Sequence, residues 1–223
     1  MEKRLNSCFG QQSIFNKVLP ATLILLFSFN TIHAQQKQWS LIKDRIVTTW
    51  AEKVNPKAPL PEYPRPQLVR VNNWKNLNGL WSYAIVTRAQ SEPVKYDGSI
   101  LVPYAVESAL SGVGKTVGAD SVLWYKNTIT IPSSMKNKDV LLHFGAVDWQ
   151  TEVFVNGKSA GKHEGGFDPF TFNITSLIKK GASQEIKLRV WDPTDKGPQP
   201  RGKQVKRPEG IWYTPVTGIW QTV

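Results

Sequence analysis

Cysteine is almost missing from these 223 residues: Cys8 stands alone. It precedes the apolar run of a leader-like segment, so the chain beyond that run offers no disulfide, no thiolate metal site and no cysteine nucleophile. Histidine is nearly as scarce. Only His33, His143 and His163 occur, none at the i, i+4 spacing that sets two imidazoles around zinc on one helix face. No metal and no other cofactor is expected. A phosphate-binding loop and a dinucleotide fingerprint are also missing. The long apolar run, "VLPATLILLFSFN", falls well short of the roughly 20 residues that cross a bilayer, so no membrane span is expected.

Acidic residues are outnumbered, 17 Asp and Glu against 28 Lys and Arg, for a formal net charge of +11. Lys3, Arg4 and Lys17 precede the apolar run, and "TIHA" follows it. That order of parts is a secretory signal peptide, residues 1–34, with cleavage expected after Ala34 and a secreted or periplasmic product. Removing Glu2, Lys3, Arg4 and Lys17 lowers the formal charge from +11 to +9. The one basic cluster, "KGPQPRGKQVKR", is interrupted by Pro and Gly and cannot form a continuous basic helix face. It reads as a solvated loop, and no nucleic-acid partner is expected.

Beyond the leader, Trp39, Ile42, Ile46 and Trp50 recur at near-helical spacing and predict a short amphipathic helix. Pro56, Pro59, Pro61, Pro64 and Pro66 then favour extended chain without ladder hydrogen bonds. Residues 35–64 therefore read as an arm and linker, and the domain as 65–223. From there, short runs of β-branched and aromatic residues alternate with turn residues: "GLWSYAIV", "GSILVP", "LWYKNTITIP", "DVLLHFGAV", "TEVFV", "FTFNI" and "EIKLRVWD". In the last, Ile186, Leu188 and Val190 alternate with Lys187, Arg189 and Trp191, so one face is buried and the other at least partly wet. Asn156-Gly157 tolerates the positive φ of a two-residue hairpin. "NITSLIKKG" allows one helical turn. With no alternation of strands and helices, the fold class is all-β, a sandwich or jelly roll of roughly eight strands.

The acids give no catalytic pair. Glu164 with Asp168, and Asp192 with Asp195, stand beside Gly and Pro as turn residues do. Asp148 is read as a turn tie to backbone donors, His143 as a half-buried strand residue, and Phe167 and Phe170 as core anchors. The loop "PRGKQVKRPEGIWY" is the candidate ligand contact, because functional groups concentrate on long loops between strands. Arg201 and Lys203 offer charge-assisted hydrogen bonds to hydroxyls or a carboxylate, and Gln204 both donor and acceptor.

"WYKNTITIP", "LLHFGAVDWQTEVFVNGKSAGKHEGGFDPFTFNITSLIKKGASQEIKLRVWD", "PRGKQ" and "GIWYTPVTGIWQTV", in this order, resemble the amino-terminal sugar-binding domain of glycoside hydrolase family 2. "NLNGLWSYAI" and "ILVPYAVES" match the opening of the same domain. That family holds β-galactosidases, β-glucuronidases and β-mannosidases. The resemblance implies a galactose-binding-like jelly-roll β-sandwich over residues 65–223 and a carbohydrate partner, a β-glycoside. In family members the loop before the closing Gly-Ile reaches the pocket of a neighbouring barrel, and some place an acid there. Matching on Gly218-Ile219 puts Trp212 near that position, with Glu209 the closest carboxylate, and makes Trp212 and Tyr213 the residues to test. The family's two catalytic glutamates lie on a (β/α)₈ barrel, so no catalytic residue is expected in this chain. Val223 reads as a cut edge, with the C-terminal catalytic domain missing and the chain inactive alone. The alternative is a free-standing secreted carbohydrate-binding module.

Overall fold

The computed structural model of the protein describes residues 39–61, 73–181 and 183–223. The leader, its cleavage point and the domain start near Arg65 lie outside the described residues. Among the described residues ten strands occur in chain order: β1 Gly79–Thr87, β2 Gly98–Val102, β3 Ser121–Ile129, β4 Leu141–Phe144, β5 Val147–Asp148, β6 Gln150–Val155, β7 Lys158–Glu164, β8 Phe170–Asn173, β9 Gln184–Trp191 and β10 Gly218–Ile219. Six form one antiparallel sheet in the order β2-β1-β3-β9-β6-β7, and the pairs β10-β5 and β4-β8 form two small sheets. The fold is an all-β, jelly-roll sandwich.

The period of two in β9 explains the layering. Ile186, Leu188 and Val190 are fully buried, as are Leu123 and Tyr125 on β3 and Val153 and Val155 on β6. They meet Leu142, Phe144, Val147, Ile174 and Ile219, contributed by or beside the small sheets. Burying such side chains contributes about 1.5–3 kcal/mol each. On the opposite face, Ala84, Val122 and Trp124 form a lesser cluster, with Trp124 stacked on Phe154. Lys187, on that wet face by pattern, is buried but held between Glu92 and Glu185 at 2.7 and 2.9 Å. Burial disfavours its charge, and the two carboxylates more than restore it.

The turn chemistry follows the residues. Asn156 and Gly157 have φ of 53° and 82° and join β6 to β7 in a two-residue hairpin. Asn156 also donates its amide N–H groups to Leu177 O and Gln184 Oε1 and accepts from Glu185 N. One 3₁₀ turn, Thr175–Leu177, sits inside "NITSLIKKG".

The amphipathic helix expected around residues 39–50 does not form; turns and extended chain take its place. That segment bonds outward instead of to itself. Ile42 N donates to Ala109 O, the Trp39 indole to Leu110 O and the Arg45 guanidinium to Gly114 O. Ile46 and Trp50 are left 98% and 68% exposed, so the four apolar positions never share a face.

Gly218 opens β10 with φ +90°, and a Cβ there would strike the Tyr125 hydroxyl. Gly218→Ala combines backbone strain with overpacking and is expected to cost roughly 2–5 kcal/mol. Thermal or denaturant unfolding measures that loss.

Candidate functional site

Between β9 and β10 the chain runs through 26 residues without a strand, from Asp192 to Thr217. Within it, Tyr213 N donates to Lys203 O at 2.8 Å and Val205 N to Tyr213 O at 3.0 Å. These bonds fold the loop on itself and bring its sequence-distant ends together. The Arg201 guanidinium lies 5.6 Å from the centre of the Trp212 ring, and the Lys203 ammonium 6.0 Å from that of Tyr213. Two cation and aromatic pairs therefore stand side by side, each a contact of about 0.5–1 kcal/mol at an exposed site. Trp212 and Tyr213 are 39% and 64% exposed. They form an aromatic surface with fixed positive charge, suited to the C–H face and hydroxyls of a pyranose.

Two of the six candidate residues stand apart from that surface. Gln204 turns inward, its Oε1 accepting from Val216 N at 2.7 Å, so only its amide N–H groups remain to meet a ligand. Glu209 is exposed in the turn whose carbonyl accepts from Trp212 N. Among the described residues no ring or ion contact joins its carboxylate to the other five, and its place in the site is sequence proximity.

Beneath the loop lies a buried acid cluster. Asp192 Oδ1 accepts from Thr194 N at 2.7 Å, the turn-residue role expected of it, and its Oδ2 accepts from the Thr217 hydroxyl at 2.8 Å. Glu107 Oε2 accepts from Thr217 N at 2.9 Å. The Gln199 amide donates to Thr194 O at 2.9 Å. Tyr125 Oη accepts from Ile219 N at 3.2 Å. Burial pushes the Glu107 carboxyl up to about 8, against the lowering effect of Thr217, with Asp192 adding a further rise. Burial, then the charge of Asp192, pushes Asp148 up to about 7. Asp192 is raised by burial despite its hydrogen bonds. Glu107 and Asp148 therefore hold their protons into the neutral range.

Residues 115–213 match the family model described as the glycosyl hydrolase 2 galactose-binding domain-like. This part of the chain is a glycosyl hydrolase family 2 galactose-binding-like domain. The loop of Arg201, Lys203, Gln204, Glu209, Trp212 and Tyr213 falls inside the match. Among similar proteins, a β-glucuronidase of Streptococcus agalactiae is 27% identical over 125 residues, 56% of this chain and 20% of that protein. A putative β-glucuronidase of Formosa agariphila is 42% identical over 73 residues, 31% of this chain and 9% of that protein. The solved β-D-glucuronidase of Dictyoglomus thermophilum is 29% identical, with a TM-score of 0.43, and the match covers 54% of this chain and 19% of that one. The chain thus spans about a fifth or less of the length of these relatives.

Three expectations about the domain need correction. Asp148 ties no turn: it is buried in β5, paired through its backbone with Gly218, and no donor among the described residues reaches its carboxyl. Its neighbour is the backbone of Gly166, where a Cβ would crowd the carboxyl. Phe170 does anchor, stacking on Phe144 and His163, but Phe167 is 51% exposed and meets only the edge of Trp220 among rings. His143 is exposed, bonded to Thr171 Oγ1 and stacked on Trp74. The sequence reading missed Glu107. Its one signal is an acid set among the small and apolar residues of "YAVESAL", where a side chain faces inward or not at all. Among the described residues no helix is long and apolar enough to cross a membrane, and no cluster of His, Cys, Asp or Glu is arranged to hold a metal ion.

The raised acids make stability pH-dependent with a definite sign. Unfolded carboxyls ionise near their ordinary values, whereas Glu107 and Asp148 keep their protons to about 8 and about 7. Stabilisation is therefore complete below the ordinary carboxylate range and is lost as the pH rises through 7 to 8, on the order of a few kcal/mol. The melting temperature of the chain should fall between about pH 5 and about pH 8. Glu107→Gln keeps an acceptor for Thr217 N without the charge, and should flatten that slope.

Proposed function

We propose that the chain is the sugar-binding module of a family 2 β-glycosidase of the β-glucuronidase and β-galactosidase type, and that its loop of residues 201–213 contacts the glycoside. The observation that carries this reading is the paired display of Arg201 with Trp212 and Lys203 with Tyr213 inside the matched domain. Aromatic faces take the C–H face of the sugar, and the two cations take hydroxyls or a uronate carboxylate. We also propose export, on the basic start and short apolar run before Ala34.

Hydrolysis with retention needs two carboxyls about 5 Å apart on either side of a glycosidic bond. Glu107, Asp148 and Asp192 act on one another but are buried under β10 and closed to a substrate, while Asp195, half-buried and acting on Asp192, accepts from Lys206 N. Binding and orientation are therefore this domain's part, and bond cleavage belongs to the barrel domain of the intact enzyme. The purified chain should show no turnover of nitrophenyl β-glycosides; a rate in the normal range of glycosidases contradicts the assignment. Joined to a family 2 barrel, Trp212→Ala should raise KM about two- to tenfold, the loss of roughly 0.5–1.5 kcal/mol of aromatic contact, with the fold's melting temperature unchanged.

A further inference from the structure

A second cleft, away from the loop of residues 201–213, opens between the segment at Trp39, the β1-β2 edge and residues 112–115. Its volume is about 440 Å³, within the range of small-molecule sites. Trp39 forms a wall that cannot turn freely: its indole N–H is donated to Leu110 O, and its ring lies so close over Gly112 that a Cβ there would collide with it. Tyr83 is 8% exposed and lines the cleft, with no hydrogen-bond partner for its hydroxyl among the described residues. Tyr96 adds a second ring, fixed from elsewhere by the Lys126 ammonium 4.4 Å from its centre. Asp97 uses Oδ2 to accept from Ile85 N, which leaves Oδ1 for a hydroxyl. Lys95 and Lys115 line the same space and are exposed, with no ion pair among the described residues.

We propose that this cleft, with Trp39, Tyr83, Tyr96, Asp97, Lys95 and Lys115, is a second saccharide-binding site selective for acidic sugars. Rigid aromatic walls suit the apolar face of a pyranose, and losing little side-chain freedom on binding favours affinity. The Tyr83 hydroxyl and Asp97 offer one donor and one acceptor for ring hydroxyls. Two ammoniums against one carboxylate select a sugar carboxylate over a neutral sugar. The cleft owes nothing to the long loop, so it keeps its ligand whether or not that loop reaches a barrel pocket. Such a site would hold an acidic polysaccharide near the enzyme while the barrel trims it.

Isothermal titration of the chain with oligogalacturonate, and with its fully methyl-esterified form, tests this. Saturable binding of the acid form is expected, weakened about tenfold or more by esterification and by Lys115→Glu, since a charge-assisted hydrogen bond is worth about 1.5–3 kcal/mol. Trp39→Ala should abolish it and Trp212→Ala should leave it unchanged. Tyr83→Phe, which removes one oxygen and no packing, should weaken it several-fold and guards against a folding defect in the tryptophan variant. The proposal is overturned by no saturable binding, by equal affinity for the ester, by equal affinity for a single-stranded oligonucleotide, or by loss on Trp212→Ala with retention on Trp39→Ala. Failure of the loop reading alone would appear as an unchanged KM in the barrel-joined Trp212→Ala enzyme with the titration intact.

Discussion

Thr217 joins the two ends of the longest strandless stretch among the described residues. Its hydroxyl reaches Asp192 at the end of β9, its N–H reaches Glu107, and its carbonyl accepts from Val106 N. One small residue, fully buried, thereby closes the loop at its base and fastens it to the core. A two-residue strand could not do so by itself: β10 has only Gly218 and Ile219 to pair with β5. The Tyr125 hydroxyl and the Ile219 side chain, both buried, complete the attachment. Closing a long loop is entropically unfavourable, though only by about 0.6 kcal/mol for each doubling of length, so a few well-shielded bonds suffice.

The same knot explains why acids occupy the interior of a chain short of acidic residues. Three ionised carboxylates there would meet no cation, since no ion pair among the described residues involves Glu107, Asp148 or Asp192. Protonation removes that conflict. Oε1 of Glu107 accepts no hydrogen bond from the described residues, so a proton there displaces none. The basic residues, by contrast, stay outside, where Arg201 and Lys203 meet rings in place of carboxylates. The interior thus sets the geometry of the loop, and the surface sets its chemistry.

Much of this was legible in the residues. The alternation in "EIKLRVW", the Asn-Gly pair and the strand-like runs gave the sheet because side-chain period and turn conformation are local properties. Arg201, Lys203, Trp212 and Tyr213 could be nominated together because aromatic and basic residues punctuated by Gly and Pro mark an exposed loop. Other features depend on long-range partners. Gln204 turned inward because Val216 N needed an acceptor, and Trp39 abandoned a helical period because Leu110 and Gly112 offered a better seat. Glu107 and Thr217 lie 110 residues apart, and no local pattern announces their meeting.

Amide hydrogen exchange of the intact chain tests the central claim most directly. If the Glu107, Asp192 and Tyr125 contacts hold the loop base within the core, the Thr217 and Ile219 amides will exchange as slowly as those of β3 and β9, while Trp212 and Gln204 in the loop exchange much faster. Exchange of Thr217 and Ile219 at the rate of the loop would contradict the account: the terminal strand would then be opening with the loop, and nothing would fix the aromatic and basic surface in place.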